Sequence, residues 1–247
     1  MSEAYESRRI LDEYLLFHYG ADQEVLTPGC VWPEGMRQAL GFAARTPARF
    51  PGEAVERGLD LGCAVGRSTF EMARRCREVI GVDFSRSFVD AAERLRQGKG
   101  IPYGRVEEGS VVSHLTARAP ADVDRGRVRF LQGDAAALPS DIGTFDRVHA
   151  ANLLCRMPDP ALLLARLPAL VRDDGHLLLT TPCTWLESFT PPEKWPQGRT
   201  LDWLEAALGS DFRLETTCEE PFLIRETARK FQWSSALLTL WRRINRA

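Results

Sequence analysis

Two acidic residues and two glycines, spaced around a pair of short apolar runs, carry the clearest chemistry in this chain. The stretch Leu59-Asp60-Leu61-Gly62-Cys63-Ala64-Val65-Gly66-Arg67-Ser68 reads as a buried strand, a glycine-bearing turn and the start of a helix. A second apolar strand, Val79-Ile80-Gly81-Val82, ends on Asp83 with Phe84 beside it. Such a turn lets the backbone approach a ligand closely and aims helix N-terminal amides into a cleft. A carboxylate at the end of the next strand accepts hydrogen bonds from both hydroxyls of a ribose. The combination points to a nucleoside-containing cofactor. A dinucleotide fingerprint needs G-x-G-x-x-G so that pyrophosphate can sit on the helix terminus. Here the middle glycine position is Ala64, whose methyl group crowds the space a pyrophosphate needs and leaves room for a cofactor without phosphates.

S-adenosylmethionine (SAM) carries a ribose, an amino-acid tail and a sulfonium, and no phosphate. The segment resembles motif I of the class I SAM-dependent methyltransferases. That resemblance implies Asp60, Gly62, Cys63, Gly66, Arg67, Ser68, Asp83 and Phe84 as cofactor residues. Gly133-Asp134-Ala135 looks like the position whose acidic side chain receives the adenine amino group, and Asn152-Leu153-Leu154 like the segment lining the methionine end. Asp60 is expected to support the cofactor amino group, directly or through the turn backbone.

These residues need elements to hold them. Residues 4–19 read as an amphipathic helix with Leu11, Tyr14, Leu15 and His18 on one face, stopped at Gly20. A Pro/Gly-containing stretch, 27–52, leads into a strand near 55–62, a helix over 66–76, a strand over 78–83 and a helix N-capped by Ser85 that runs to about Gln97. Glycines interrupt residues 98–126, which read as an inserted loop or hairpin. Strands follow at 128–131 and 145–152, then a helix opened by Asp159-Pro160 and a strand at 176–180 reached through an Asp173-Asp174-Gly175 turn. A tryptophan-rich loop (182–199), a short helix (200–208) and two long β segments (212–224 and 230–243) complete the chain. Alternating strands and helices imply an α/β domain with a parallel sheet, which binds ligands beyond the carboxyl ends of its strands. With the resemblance, the expectation is one Rossmann-like domain over 1–247: a seven-stranded, mostly parallel sheet, a terminal antiparallel hairpin and an N-terminal lid helix.

Bulk properties exclude several classes. The hydrophobic fraction of 44% and charged fraction of 27% are globular values. A net charge of −2 offers no broad basic field for nucleic acid. No apolar run approaches the ~20 residues of a membrane span, and the polar start Ser2-Glu3-Ala4-Tyr5-Glu6 is unlike a signal peptide. Six scattered cysteines and four histidines give no metal-site spacing. A reducing, cytoplasmic setting is expected.

The remaining candidates concern a second ligand. Tyr14, His18 and Tyr19 end the leading helix, where they could orient an acceptor or take its proton; core packing is the commoner fate of such residues. Arg156 follows the fourth strand, and Arg225-Glu226 sits between the last two β segments; an arginine there could pair with a substrate carboxylate and the glutamate with an ammonium. Trp185 could stack on a flat ring. The stretches Leu11–Gly20, Asp60–Ser68, Ala151–Arg156, Thr184–Glu187 and Ile224–Trp233 resemble the methyltransferases of ovothiol biosynthesis, which N-methylate the imidazole of 5-thiohistidine. The resemblance implies SAM as cofactor, S-adenosylhomocysteine (SAH) as product, a small-molecule acceptor held by Tyr14, His18, Tyr19, Asn152, Arg156, Trp185, Arg225 and Glu226, and a standalone form acting after a separate iron-dependent sulfoxide synthase. This chain departs from that family at Asp173-Asp174-Gly175, in place of a Pro-Gly-Gly-like turn, and at Cys183, where an aromatic residue is expected.

Overall fold

The computed structural model describes residues 3–245; Ser2, part of the polar start, lies outside them. Its strands are β1 (Val55–Leu61), β2 (Cys76–Asp83), β3 (Ile101–Glu108), β4 (Val111–Ala117), β5 (Val128–Gln132), β6 (Phe145–Ala151), β7 (Val171–Thr181), β8 (Phe212–Arg225) and β9 (Phe231–Arg243). Its helices are α1 (Arg8–Tyr19), α2 (Asp22–Val25), α3 (Glu34–Gln38), α4 (Phe42–Arg45), α5 (Arg67–Met72), α6 (Arg86–Arg96), α7 (Pro160–Leu170) and α8 (Thr200–Leu208).

Period-two alternation sets the layers. Leu59 and Leu61 of β1, Val148 and Ala150 of β6, and Leu177 and Leu179 of β7 join the core packed on α7 and α8. Leu178 faces the opposite core, with residues of α1, α5 and α6, and Asp60 and His149 point to that side too. The sheet order is β5-β2-β1-β6-β7-β9-β8. The first five strands pair in parallel, and β9 runs antiparallel to both β7 and β8. This is the expected seven-stranded sheet with its terminal hairpin.

Boundaries shift where local pairing overrides pattern. The expected 4–19 helix is a 3-10 turn (Glu3–Glu6) followed by α1, because the Ser7 hydroxyl accepts from the Ile10 amide and restarts the helix. Gly20 does end it, but in an extended conformation (φ −63°) and not a left-handed one; a side chain would sit 2.6 Å from the Leu16 carbonyl. The 66–76 helix stops at Met72, since Val55 pairs with Cys76 and its amide bonds Arg75 O at 2.8 Å, drawing those residues toward the sheet. Asp173-Asp174-Gly175 is a bulge inside β7, with Asp174 at φ 61°.

Residues 98–126 contain the hairpin β3–β4, a separate two-stranded sheet. It braces the lid: Asp12 accepts from the Gly104 amide at 3.0 Å, Arg8 donates to Pro102 O, and Arg105 donates to Glu24 O.

Candidate active site

At the carboxyl ends of β1, β2, β5 and β6 lies a cavity of about 280 Å³ roofed by α1, near the lower end of small-molecule sites (~300 Å³ upward). Of the residues expected to hold the cofactor, Gly62, Ser68, Asp83, Phe84, Asp134, Ala135 and Asn152 line it, as do the acceptor candidates Tyr14, His18 and Arg156. The turn after β1 is wound through the left-handed region at Gly62 (φ 70°), Ala64 (φ 47°) and Gly66 (φ 87°). Ala64 is held there by its amide, which donates to Asp83 Oδ2 at 2.8 Å. The other Asp83 oxygen accepts from the Ser85 amide at 2.9 Å. Burial dominates these bonds and raises the Asp83 carboxyl from its ordinary 3.8 to about 6. Asp134 bonds the Ala136 amide through Oδ1. Asn152 sits at φ 53°, with its side-chain oxygen accepting from Thr180 Oγ1 and its amide bonding Thr180 O.

Asp60 stands behind the turn, wholly buried. Oδ2 accepts from the Ser68 and Thr69 hydroxyls, each at 2.6 Å, and Oδ1 pairs with His149 Nδ1 at 2.7 Å. Burial pushes Asp60 up, but these partners outweigh it and hold the carboxyl below 3.8. It fixes the α5 N-terminus from beneath through Ser68 and Thr69 and does not line the cavity.

The roof is aromatic. The Tyr14 ring lies 4.7 Å from Phe88 and is stacked on His18 at 5.9 Å, while Phe17 packs on Phe42 and Phe222. Burial lowers His18 to about 3, and its Nδ1 is sealed without a protein partner among the described residues. Burial raises the Tyr14 and Tyr19 hydroxyls well above 10. None of the three is poised to take a proton near neutral pH.

Several expected contacts go elsewhere. Tyr19 donates to Val65 O at 2.8 Å, outside the cavity lining. Cys63 and Gly66 serve the turn through their backbones; Gly66 backs onto Phe130, whose ring a side chain would meet at 2.5 Å. Arg67 lies over the Tyr19 ring and pairs with Glu71. Trp185 packs edge-on against Trp203, with its indole N–H on Thr200. Arg225 does not face the cavity. It is buried, donates to Glu24 O and Val25 O at 3.1 and 3.0 Å, and pairs with Glu107 of β3 at 2.6 Å, tying the hairpin, α2 and β8 together. Glu226 pairs with Lys230 and accepts from Gln232. The charged run reads the same in sequence whether it binds ligand or staples the fold; only the partner Glu107, over a hundred residues away, decides. Conversely, sequence reasoning missed Thr46, Phe42, Phe222, Glu6 and His149 as lining residues. A histidine in the middle of an apolar strand was the one available signal, because parallel register places His149 beside Asp60.

Comparison with known proteins agrees with this geometry. A family model described as a methyltransferase domain matches residues 59–179, the span from β1 into β7. The chain is 28% identical over 130 residues to a ubiquinone biosynthesis O-methyltransferase of Ralstonia nicotianae, covering 52% of this chain and 44% of that protein. It is 32% identical over 142 residues to a trans-aconitate 2-methyltransferase of Methylobacterium radiotolerans, covering 57% and 43%. The matched stretch thus spans less than half the length of either relative. The crystal structure of YcgJ from Bacillus subtilis aligns with a TM-score of 0.55 at 14% identity, covering 83% of this chain and 99% of that one. Residues 59–179 thus match a methyltransferase domain, set on the Rossmann-like α/β fold that the solved structure shares.

Proposed function

We propose that the protein methylates a ring nitrogen of a small, flat, heteroaromatic amino acid, and that the acceptor is 5-thiohistidine, methylated on the nitrogen nearest the side chain as in ovothiol A biosynthesis. The observation that carries this reading is the aromatic lining contributed by Tyr14, Phe17, Phe42 and Phe222, with the unpartnered Nδ1 of His18 among them. Flat rings stack on such walls. The residue-level resemblance of the leading helix and of the Arg225–Trp233 segment is what favours thiohistidine within that class.

The residues present fit SAM. Three carboxylates (Glu6, Asp83 and Asp134) line the cavity against a single guanidinium, Arg156. That set repels phosphates and suits a sulfonium. Asp83 would take the ribose hydroxyls, Asp134 the adenine amino group, Phe84 the adenine face, and Gly62 and Asn152 the amino-acid tail. When bound, SAM supplies an electrophilic methyl group on a positively charged sulfur. The chain then contributes alignment of the acceptor ring, exclusion of water and preorganised dipoles. With Tyr14, His18 and Tyr19 all unsuited as bases, nucleophilicity is left to the acceptor, whose ring thiolate enriches the imidazole. Arg156, held at the rim by Cys155 O and Thr184 O and packed on Phe189, replaces Arg225 as the group that would pair with the acceptor carboxylate. The same acidic lining disfavours acceptors carrying several carboxylates. On this reading a separate sulfoxide synthase installs the acceptor's sulfur and is a candidate partner.

Release of SAH on addition of 5-thiohistidine, histidine and simple thiols tests the reading. Thiohistidine should turn over fastest and histidine poorly; preference for a ring-free thiol would overturn it.

A further inference from the structure

A second cavity, of about 140 Å³, lies at the end of α5 away from the glycine turn, and its charges do not balance. Phe50, Glu71, Arg74, Arg75 and Arg147 are among the residues that line it. We propose that it binds a small tetrahedral oxyanion carrying two negative charges, of the phosphate or sulfate class, held between Arg75 and Arg147. This site is separate from the methyl-transfer cavity and does not depend on the reading given for it.

Three guanidinium groups line this cavity against one carboxylate. That carboxylate is already taken: Glu71 pairs with Arg67 at 2.8 Å and with Arg74 at 2.5 Å. Arg74 also pairs with Asp122 at 2.6 Å, so Arg67, Arg74, Glu71 and Asp122 neutralise one another. Arg75 and Arg147 are left over. Neither forms an ion pair among the described residues. Asp146, next to Arg147 in the chain, is engaged by Arg172 and by the Arg57 amide. Two positive charges therefore face one small space without a counter-ion.

Arg147 is the fixed half of the site, 3% exposed and set near the start of β6. Its Nη2 donates to Pro51 O and Glu53 O at 2.7 and 2.8 Å, and its guanidinium carbon lies 5.6 Å from the centre of the Phe50 ring. These contacts set its orientation and use two of its five N–H donors. The donors on Nε and Nη1 meet nothing better than the Cys76 thiol, a weak acceptor. Burial lowers the Arg147 pKa, and the neighbouring Arg75 charge lowers it further; an anion between the two groups relieves both costs. Arg75 stands exposed at the rim, where it can close on a bound ion. The volume is below the ~300 Å³ at which organic-ligand sites begin, which suits a single oxyanion, and guanidinium N–H groups match phosphate oxygens in geometry. The same ion is unsuited to the methyl-transfer cavity, whose lining carries Glu6, Asp83 and Asp134.

Calorimetric titration of the full chain with inorganic phosphate at about pH 8, in roughly 0.15 M sodium chloride to screen diffuse charge, tests the proposal. One phosphate should bind per chain, sulfate should compete with it, and singly charged acetate should bind at least about 10-fold more weakly. Arg75→Gln should weaken phosphate about 10-fold, and Arg147→Gln at least as much. Arg77→Gln removes an exposed arginine that pairs with Glu56 and does not line the cavity, and it should leave the affinity within about two-fold. Because Arg75 is exposed, its variant keeps the test open if Arg147→Gln folds poorly. Added SAH should not displace the ion. Absence of phosphate binding, equal weakening by Arg77→Gln, or an affinity that Arg75→Gln leaves unmoved would overturn the site. Displacement by SAH would overturn it too, by putting the ion in the methyl-transfer cavity.

Discussion

Replacement of Asp83 by Asn separates stability from binding, and the size of each effect follows from the same four atoms. The carboxyl has moved from 3.8 to about 6. A group whose folded pKa is raised stabilises the fold below its unfolded pKa and loses that contribution as pH rises through the folded value. At about 1.4 kcal/mol per pH unit, ionised Asp83 costs the free protein ~3 kcal/mol at pH 7. Asn removes that penalty. It also turns an NH2 toward one of two backbone amides, that of Ala64 or that of Ser85, which costs ~1–3 kcal/mol for an unsatisfied donor. The two terms oppose, so unfolding stability at pH 7 should change by less than about 2 kcal/mol. Binding should not be spared. A ribose hydroxyl bonded to a charged carboxylate contributes ~1.5–3 kcal/mol, so the Kd for SAH should rise roughly 10- to 150-fold. The wild-type affinity should strengthen as pH rises from 5 to 7, because ligand hydroxyls favour the ionised carboxylate, and the variant should show no such trend. Calorimetric titration from pH 5 to 8 with chemical denaturation at pH 7 measures both. An Asn variant that binds SAH within three-fold of wild type, or a flat wild-type profile, would refute the assignment of Asp83 to the ribose.

Other substitutions probe the turn, the staple and the rim. Arg225→Ala breaks a buried pair with Glu107 and should destabilise by ~3–5 kcal/mol, lowering Tm by about 10 °C; a large selective rise in the acceptor KM with unchanged Tm would return Arg225 to a substrate role. Gly66→Ala drives a methyl group into Phe130 and Ala92 at a left-handed position and should cost about 3 kcal/mol, seen as a lower denaturation midpoint. Ala64→Gly, at φ 47°, relieves ~1–2 kcal/mol of left-handed strain against ~0.4–1 kcal/mol of added unfolded-state entropy, so stability should hold or rise slightly by the same measurement. Arg156→Ala should raise the KM for an amino-acid acceptor at least 10-fold and leave the Kd of SAH within three-fold, read by SAH release and calorimetry.

Sequence reached the sheet and several of the residues that line the cavity because both are written locally. Alternation in β1, β6 and β7 marks the two faces, and the Gly62–Gly66 spacing with Asp83 and Asp134 at strand ends places ligand-facing groups by topology alone. The capping residues Ser85 and Asp159 are also local, and each accepts a backbone amide as expected. What was not legible depends on partners distant in the chain. Arg225 reads as a substrate clamp because nothing near it reveals Glu107, and although an inserted hairpin over 98–126 is legible, its brace on Asp12 exists only in three dimensions. Thr46 sits in a stretch without strong periodicity and becomes part of the site only because Glu220 holds α4 against β8. Tyr19 and Trp185 illustrate the ordinary fate of helical and loop aromatics: one bonds a carbonyl of the turn, the other packs under α8.

The proposed reaction is methyl transfer from SAM to a ring nitrogen inside this cavity. Incubation with ¹³C-methyl-labelled SAM and 5-thiohistidine, followed by NMR of the product, tests it most directly. The expected product carries a labelled methyl on the imidazole nitrogen next to the side chain, with one SAH formed per methyl transferred. A label on sulfur, or no labelled product from folded protein that binds SAH, would contradict it.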